Sequence, residues 1–355
     1  MSERSEKYNK IFKIFQQSNQ NEIIQIGKLL GKGAFGEVRD IIFKNKVMAG
    51  KIAERESDDA KSQEEKYYLD LRGHNLIRMN KIYSKKINDK YYDLIIMDKA
   101  VLRDLGKINE FYHRHNLLKL IYLEPFDEKS GDNLLRFYAK QIINGLEILD
   151  RNDFVHFDIK PENLLITVNL ILKLSDFSIL RKIEGRMKLP GGTQGYMTPE
   201  YYINKDVSPD EARKQDYFAL GSSLFILKYG IHLLKYKKYE DSKMTYDRII
   251  SLLEKDIAFI KSQKLTDKKF MNFLINLIMY KPDERPSFEQ IYRNNWLNKN
   301  NQELEQTIMA FESDEEKLIE ELQKKDFMIK KEKSILKREN NSNQIKFRFK
   351  KKVLN

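Results

Sequence analysis

One polar stretch between two apolar runs, FVHFDIKPENLLI at Phe154–Ile166, constrains this chain more than any other. The apolar runs anchor the stretch in a core, so the polar side chains between them must line a cleft or carry a desolvation cost. These side chains are His156, Asp158, Lys160, Glu162 and Asn163. A carboxylate can accept a hydroxyl proton, an ammonium can neutralise phosphate charge and an amide oxygen can bind a hard cation, so the set suits phosphoryl transfer. The alternative is a polar loop between two buried strands.

The spacing within this stretch resembles the catalytic loop of eukaryotic protein kinases. Lys160 follows Asp158 by two residues and Asn163 follows it by five, as in the signature of that family. The resemblance implies that Asp158 orients and deprotonates a substrate hydroxyl, that Lys160 neutralises charge on the transferring phosphate and that Asn163 binds a metal ion. It therefore implies ATP and Mg²⁺ as cofactors and a protein as the substrate.

A glycine-rich segment at residues 26–38, IGKLLGKGAFGEV, is the second feature. Glycine lets backbone N–H groups approach phosphate because no Cβ intervenes. The G-x-G-x-x-G pattern also occurs in dinucleotide-binding folds, but here a strand pattern follows where those folds need a helix. The segment resembles the glycine-rich loop of kinases, with Val38 over the adenine, and an ordinary hairpin turn is the alternative. The nucleotide-binding residues that this implies are Gly31, Gly33, Phe35, Gly36 and Val38.

Lys51 ends the run VMAGK, 15 residues after the last of these glycines, a distance that fits one hairpin back to a third strand. The run resembles the V-A-I-K of kinases, which implies that Lys51 binds the α and β phosphates and that Ala49 faces the adenine. Gly50 stands where the family has a bulky residue. A following helix should supply a glutamate partner for Lys51. We prefer Glu64 to Glu65, because the tyrosines and leucine that follow Glu64 at helical spacing form one face.

The run YYDLIIM at Tyr91–Met97 predicts a strand that leads into residues 98–100. Kinases have their hinge here, so the resemblance makes Met97 the gatekeeper and assigns adenine binding to Asp98 and Ala100. Asp104 falls where many relatives have an acid near the ribose and a basic substrate residue. An acid at the N-cap of a helix is an equally good interpretation of Asp104.

A strand predicted at Leu170–Leu174 leads to Asp176-Phe177-Ser178. The triplet resembles the D-F-G of kinases with serine in the glycine position, which implies that Asp176 holds the magnesium ions together with Asn163. Glycine tolerates backbone conformations that strain serine. Ser178 could therefore lower activity or bias the loop, without implying a loss of metal binding.

Later landmarks follow in the order of the family. PGGTQGYMTPE at residues 190–200 resembles G-T-x-x-Y-x-A-P-E, which implies that Thr193 contacts the catalytic aspartate and lysine. The resemblance also pairs Glu200 with Arg285, and it makes Asp216 a brace for the backbone of the catalytic loop.

The resemblance covers residues 26–300 and implies an α+β, bilobal protein-kinase fold. The small, mainly β N-lobe is expected at 26–98 and the larger, mainly α C-lobe at 99–300. Residues 1–25 form an extension that we expect to pack as a short helix. Residues 301–355 form a helical, basic tail whose end, IKFRFKKK, could bind an anionic surface or an acidic partner. A solvated tail is the alternative.

Apolar spacing predicts an amphipathic helix at Asn133–Leu149. The apolar run Tyr217–Leu234 predicts a buried helix, since polar residues interrupt it and a membrane span needs roughly 20 apolar residues. Residues 107–130 are longer than expected between the hinge and the next helix. They predict an additional buried helix or, alternatively, a surface specific to this chain.

Composition limits the other possibilities. The chain has 355 residues with 41% hydrophobic content, enough for two lobes with cores. It has no cysteine, which excludes disulfides and thiolate catalysis. The net charge of +12 favours contact with anions but says nothing about the fold. Because the N-terminus lacks an apolar signal segment, we expect an intracellular protein, in the cytoplasm or the nucleus, with no transmembrane segment and no nucleic-acid partner.

The resemblance implies a serine/threonine kinase, on the basis of Lys160 and Thr193. Phe157 stands where most relatives have an arginine that binds a phosphate on the activation segment, and a phenyl ring cannot make those hydrogen bonds. Between Asp176 and Thr193 the only hydroxyl residue is Ser178. We therefore expect an enzyme that needs no phosphorylation of this segment.

Two further expectations concern partners. Asp104 and Glu162 stand where relatives bind a basic residue upstream of the acceptor, so we expect a preference for arginine or lysine there. The alternative to an active enzyme is a pseudokinase, a nucleotide-binding scaffold that acts through protein–protein contacts.

Overall fold

The structure is a computed structural model that describes residues 3–33, 36–55, 67, 71–100, 104–106, 128–167, 171–203, 206–235, 245–263 and 266–298. Within these ranges a five-stranded sheet precedes a mainly helical lobe. None of the helices in these ranges has the length and apolar character needed to cross a bilayer. Phe35, Glu64, Glu65, most of the 107–130 segment and the 301–355 tail lie outside the described residues, so what was predicted for them stays a prediction.

The first lobe is built on an antiparallel sheet with the strand order β1-β2-β3-β5-β4. The strands are Ile23–Gly33 (β1), Gly36–Phe43 (β2), Lys46–Arg55 (β3), Met79–Ile87 (β4) and Lys90–Met97 (β5). The β2–β3 and β4–β5 turns each place two residues at positive φ, Lys44–Asn45 and Asn88–Asp89, as tight hairpins require. Sequence analysis missed β4, because its many polar residues suit the edge of a sheet but weaken the apolar pattern.

An N-terminal helix, α1 (Glu3–Ser18), packs against this sheet. Its buried side chains share one apolar cluster with β1, β2, β3 and β5; those of α1 are Tyr8, Ile11, Phe12 and Phe15. Residues 1–25 were predicted to pack only as a short helix. The observed helix has 16 residues and contributes to the core of the lobe. The cluster also explains Gly50, since a Cβ there would lie 3.0 Å from Cδ1 of Ile41 and 3.2 Å from Cδ1 of Leu94.

The second lobe is mainly helical. Its helices are Glu128–Arg151 (α2), Pro199–Tyr202 (α3), Pro209–Tyr229 (α4), Tyr246–Ser262 (α5), Lys268–Leu277 (α6) and Phe288–Tyr292 (α7). Short strands form three antiparallel ribbons: Phe154–Val155 (β6) with Arg181–Lys182 (β9), Leu164–Ile166 (β7) with Leu172–Leu174 (β8), and Met187–Lys188 (β10) with Asp206–Val207 (β11). The helix predicted at Asn133–Leu149 lies within α2.

The buried helix predicted at Tyr217–Leu234 differs from α4 at both ends. Ser208 accepts a hydrogen bond from the backbone N–H of Glu211, whose side chain accepts one from the N–H of Ser208. This capping box starts the helix well before the apolar run. Gly230, with φ of 69°, ends it. The polar first turns of α4 concealed its start, although the Ser208–Glu211 pair was the available signal.

Candidate active site

The catalytic-loop stretch connects β6 to β7 and brings its polar side chains together. A 3₁₀ turn at Pro161–Asn163 leads into β7. Nδ2 of Asn163 donates to the backbone oxygen of Asp158 at 2.8 Å and to its Oδ2 at 2.9 Å. Nζ of Lys160 lies 2.6 Å from the same Oδ2. The three residues singled out by their spacing therefore form one hydrogen-bonded cluster.

Thr193 completes this cluster from the activation segment, residues 176–200. Its Oγ1 donates to Oδ1 of Asp158 at 2.6 Å and accepts from Nζ of Lys160 at 2.6 Å. Both carboxylate oxygens of Asp158 thus have partners, and the side chain is only 7% exposed. The orientation of the carboxylate is fixed by three side chains from two different parts of the chain.

His156 supports the loop from within the core, a role that sequence analysis did not assign. Its Nε2 lies 3.1 Å from the backbone oxygen of Ser175, and its Nδ1 accepts from the backbone N–H of Asp158 at 3.3 Å. Burial lowers the pKa of His156, which favours the neutral ring that an accepting Nδ1 requires. A histidine directly after the buried strand β6 was the signal that could have identified it.

Asp216 in α4 holds the backbone of the loop. Its carboxylate accepts from the backbone N–H groups of His156 at 2.8 Å and of Phe157 at 2.9 Å. Burial raises the pKa of Asp216 to about 7, although these two hydrogen bonds act in the opposite direction. Phe157 has φ of 64°, so Asp216 braces the chain where it passes through the left-handed region.

Lys51 on β3 and Asp176, which follows β8, form an ion pair with Nζ 2.7 Å from Oδ1. The side chain of Lys51 is 9% exposed and that of Asp176 is 31% exposed, so only the carboxylate opens toward solvent. Burial alone would raise the pKa of Asp176, but the Lys51 ammonium holds it well below its usual range. The carboxylate is therefore ionised at neutral pH.

Ser178 does not carry the backbone strain that its glycine-like position suggested. Asp176 is the residue of the triplet in the left-handed region, with φ of 64°, and Ser178 is not among the residues with positive φ. Serine therefore replaces glycine here without a conformational penalty.

Strand register places the predicted adenine-side residues on one face of the sheet. Val38 lies opposite Lys51, and Ala49 lies opposite Met97. Residues directly opposite each other point to the same side of a sheet, as do Ala49 and Lys51, two positions apart. All four side chains share the face from which Lys51 reaches Asp176.

The glycines form the end of the β1–β2 hairpin, where Gly33 pairs with Gly36 and Gly31 pairs with Val38. A Cβ on Gly36 would lie 1.7 Å from the backbone oxygen of Ile52, so only glycine lets β2 approach β3 at this point. No atom lies within 4 Å of a Cβ built on Gly31. The place that a Cβ of Gly31 would occupy is therefore open space.

The segment after β5 has backbone groups suited to an adenine. The N–H of Asp98 donates to the oxygen of Arg78 at 2.9 Å, so the predicted adenine contacts of Asp98 and Ala100 would come from the carbonyl of Asp98 and the N–H of Ala100. Between them, Lys99 pairs with Asp40 of β2 at 2.9 Å. This ion pair ties the segment to the sheet that would cover the nucleotide.

The two acids predicted to favour a basic substrate residue lie close together but differ in exposure. Asp104 is 6% exposed, and its backbone pairs with Leu165. Glu162 is exposed on the 3₁₀ turn. A Cβ on Gly106 would lie 3.3 Å from Oδ1 of Asp104 and 3.4 Å from Cγ of Glu162, so both acids border the same space.

Phe157, in the place of the usual arginine, is buried in an apolar cluster with the activation segment. The cluster consists of Val155, Phe157, Ile183, Val207 and Ala212, with Ile179, Met187 and Leu189 packed against it. The β6–β9 and β10–β11 ribbons pair the segment with the rest of the lobe. A Cβ on Gly192 would lie 2.8 Å from the backbone oxygen of Phe157, so the segment crosses the loop in close contact.

The pair predicted at the end of the segment, Glu200 and Arg285, is a buried ion pair with a distance of 2.7 Å. Nε of Arg285 also donates to the oxygen of Met279 and Nη2 to that of Tyr280. Burial lowers the pKa of Arg285, while Glu200 opposes that shift. The pair fixes the end of the activation segment to the chain between α6 and α7.

Asn163 and Asp176 together fit a magnesium ion. The amide nitrogen of Asn163 is engaged by Asp158, so its Oδ1 is the atom available to a cation. The described residues contain no group of three or more histidines and acids that would hold a metal without other ligands. Mg²⁺ commonly takes one or two protein oxygens and completes its shell with water and phosphate. The donor set therefore suits Mg²⁺ that arrives with a nucleotide.

Comparison with known proteins finds relatives that are named as kinases. Aurora kinase of Saccharomyces cerevisiae is 28% identical over 281 residues, which cover 78% of this chain and 69% of that protein. Serine/threonine-protein kinase chk-1 of Caenorhabditis elegans is 30% identical over 294 residues, which cover 78% of this chain and 53% of that protein. MAP kinase kinase PBS2 of S. cerevisiae is 28% identical over 285 residues, which cover 76% of this chain and 39% of that protein. The chain thus spans about half of chk-1 and less of PBS2.

The family described as "Protein kinase domain" matches residues 24–297, which include both lobes and all the polar residues of the site. The match agrees with the order of the motifs, the antiparallel five-stranded sheet and the helical second lobe. The predicted bilobal α+β fold is thereby confirmed. The chain belongs to the protein kinase family.

Proposed function

We propose that this kinase transfers the γ-phosphoryl group of MgATP to serine and threonine hydroxyls of proteins, without phosphorylation of its activation segment. The observation that carries the proposal is the cluster of Asp158, Lys160, Asn163 and Thr193, in which every member contacts Asp158 at 2.9 Å or less. Phosphoryl transfer depends mainly on positioning and charge stabilisation. The Asp158 carboxylate is held in place to accept the proton, which meets the need for positioning. The ammonium of Lys160 beside it meets the need for charge stabilisation.

Asp158 is the base in this mechanism. Thr193 and Lys160 engage its two carboxylate oxygens, so the carboxylate has one orientation toward an incoming hydroxyl. The hydroxyl donates its proton to this carboxylate as its oxygen attacks the γ-phosphorus, and the bond from phosphorus to the β–γ bridging oxygen breaks.

The other residues hold the nucleotide and balance its charge. Lys51 binds the α and β phosphates, and Lys160 neutralises the phosphoryl group as it passes to the acceptor. Asn163 and Asp176 would hold Mg²⁺, which would supply positive charge to neutralise the phosphates of the nucleotide. Val38 and Ala49 pack against the adenine from the sheet.

Apolar packing replaces the usual phosphate contact of the activation segment. Phe157 lies among segment residues, and full burial of a phenyl side chain contributes about 2–3 kcal/mol. A hydrogen bond to a charged group contributes about 1.5–3 kcal/mol. Burial of Phe157 and the usual hydrogen bond between arginine and phosphate are therefore of similar strength. The apolar contact needs no upstream enzyme to form.

Two finer features of specificity belong to the proposal. Lys160 and Thr193 favour serine and threonine as acceptors, and the C. elegans relative is named a serine/threonine-protein kinase. The carboxylates of Asp104 and Glu162 favour arginine or lysine upstream of the acceptor. The basic side chains of the activation segment argue the other way, toward an acidic peptide; they are Arg181, Lys182, Arg186 and Lys188.

A nucleotide-binding scaffold without catalysis is the rival. Gly50, Phe157 and Ser178 favour it on sequence grounds, but each has a structural explanation. A side chain at Gly50 would crowd Ile41 and Leu94, Phe157 fills a core and Ser178 does not have a positive φ. A chain without catalysis has no physical need of the complete cluster around Asp158, so we favour the enzyme.

The test is phosphate transfer from labelled MgATP to a generic basic protein and to the kinase itself. We expect transfer by the unmodified chain, none above background by Asp158→Asn, and phosphoserine or phosphothreonine in the product. Magnesium-dependent ATP binding without transfer would favour the scaffold. A positional peptide library tests the upstream preference, and selection of acidic residues there would refute it.

A further inference from the structure

Arg39 on β2 lies between α1 and the glycine-rich hairpin. Its guanidinium carbon is 5.6 Å from the ring centroid of Phe12, a fully buried residue of α1. Its Nη2 is 3.4 Å from Oε2 of Glu37. The side chain of Arg39 is only 12% exposed, so both contacts are largely shielded from solvent and salt.

Glu37 continues this series of contacts to the end of the hairpin. It stands between Gly36 and Val38 and pairs across the hairpin with Lys32, with Nζ 3.3 Å from Oε1. The side chain of Glu37 is 1% exposed, whereas that of Lys32 is 42% exposed. A buried carboxylate depends on its cations, and Arg39 is the more shielded of the two.

The alternation of β2 separates the contacts with α1 from the nucleotide side. Glu37, Arg39 and Ile41 point to the face that α1 covers, while Val38 points to the opposite face. Gly50 lies directly opposite Arg39 on β3, so that strand supplies no side chain at that place, while β1 places Leu29 opposite Arg39 on the other side. Arg39 thus contacts Phe12 of α1 on one side and, on the other, the carboxylate of Glu37, which stands between Gly36 and Val38.

We propose that Arg39 is a positioning residue for nucleotide binding, which couples the docking of α1 to the glycine-rich hairpin. The inference rests on the proposed function, because the hairpin is where that function places the phosphates. α1 ends before residue 24, where the match to the kinase family begins. The coupling therefore adds an element of this chain's own extension to the nucleotide site.

Single substitutions in the full chain test the coupling. Arg39→Met removes the charge and keeps much of the aliphatic stem, while Arg39→Lys keeps a cation that can reach Glu37 and the ring. Phe12→Leu removes the aromatic face and keeps an apolar side chain. Phe15→Leu makes the same change one turn later in α1, at a residue that is also buried, and is the matched control.

Three quantities are measured for each variant: the free energy of unfolding, the Kd for MgADP by calorimetry, and amide hydrogen exchange across residues 28–40 without nucleotide. We expect Arg39→Met and Phe12→Leu to raise the Kd about fivefold, the size of one shielded cation–π contact, and to speed exchange in the hairpin. Arg39→Lys should keep most of the affinity for MgADP and most of the protection of the hairpin from exchange. Phe15→Leu should leave the Kd and the exchange rates unchanged, although it should lower the free energy of unfolding about as much as Phe12→Leu does.

Equal effects of Phe12→Leu and Phe15→Leu on Kd and exchange would overturn the proposal, because the role of Phe12 would then be general packing. Unchanged exchange in Arg39→Met would also overturn it. If the unmodified chain does not bind MgADP, the proposed function fails, and the exchange measurements still decide whether α1 and the hairpin are coupled.

Discussion

The hydroxyl of Thr193 donates to Oδ1 of Asp158 at 2.6 Å, although the two residues are 35 positions apart in the chain. The activation segment therefore contributes directly to the geometry of the proposed base. Because Phe157 packs against the same segment, the apolar cluster and the polar cluster hold it at two points. Catalysis and the placement of the segment are physically linked in this kinase.

Thr193→Val removes the hydroxyl but keeps the shape of the side chain. We expect kcat to fall about tenfold or more, because Asp158 loses one of the contacts that orient it. The KM for ATP should stay within about twofold. Thr193→Ser is the control and should keep most of the activity. A variant with raised KM and normal kcat would contradict the assigned role.

Phe157→Ala should lower the free energy of unfolding by about 3–5 kcal/mol, as for other large-to-small changes in cores. It should also make the activation segment sensitive to trypsin at Arg181 and Lys182. Phe273→Ala, at a buried residue of α6, is the control with a similar loss of stability elsewhere in the lobe. Equal cleavage of the segment in both variants would count against the role of Phe157.

Breaking the buried pair of Glu200 and Arg285 should be strongly destabilising. Arg285→Met leaves the Glu200 carboxylate buried without its cation, and we expect a loss of about 3–5 kcal/mol in urea unfolding. The double variant Glu200→Leu with Arg285→Met removes both charges and should recover part of that loss. Additive losses in this double-mutant cycle would show that the two side chains do not interact.

Lys51→Met should change how stability depends on pH. In the native protein the pKa of Asp176 is held below its unfolded value of 3.8, so this group contributes stability above about pH 4 that is lost as the pH falls further. Without Lys51, burial raises the pKa of Asp176 and that contribution disappears.

Urea unfolding at pH 7 and pH 4 measures this difference. We expect the destabilisation caused by Lys51→Met to be larger at pH 7 than at pH 4, by about 1 kcal/mol. Lys173→Met, at a partly exposed lysine in β8, is a control for the loss of a positive charge nearby. A destabilisation by Lys51→Met that does not depend on pH would contradict the ion pair.

Ser178→Gly should leave the free energy of unfolding unchanged or lower it by less than about 1 kcal/mol, because glycine adds entropy to the unfolded chain. Gly192→Ala should be clearly destabilising, since a Cβ there would lie 2.8 Å from the backbone oxygen of Phe157. A gain in stability for Ser178→Gly would mean that serine is strained in the native loop.

The sequence predicted most reliably the contacts between residues that lie close together in the chain. Asp158, Lys160 and Asn163 lie within six residues of the chain, so their cluster follows from local geometry once the loop is placed. The contact of Thr193 with Asp158 and the pair of Glu200 with Arg285 span long separations. They could be expected only because the order of motifs resembled a known family.

What sequence could not predict depends on tertiary packing. The apolar side of α1 was visible, but not that it would cover the face of β3 that contains Gly50. Phe157 was seen as the loss of an arginine, while its apolar partners Ile183 and Val207 lie far along the chain and were not linked to it. The strand β4 was missed because its polar residues, three of them lysines, weaken the period-2 pattern.

The most direct test of the account is the activity of the full chain without any phosphate. The protein is produced together with a phosphatase, shown by mass spectrometry to carry no phosphate, and assayed for initial rates of transfer to a peptide in a single short reaction. The account predicts a linear time course from the first turnover, with no rise after preincubation with MgATP. A lag, or activity only after a phosphate is added between residues 176 and 200, would contradict it.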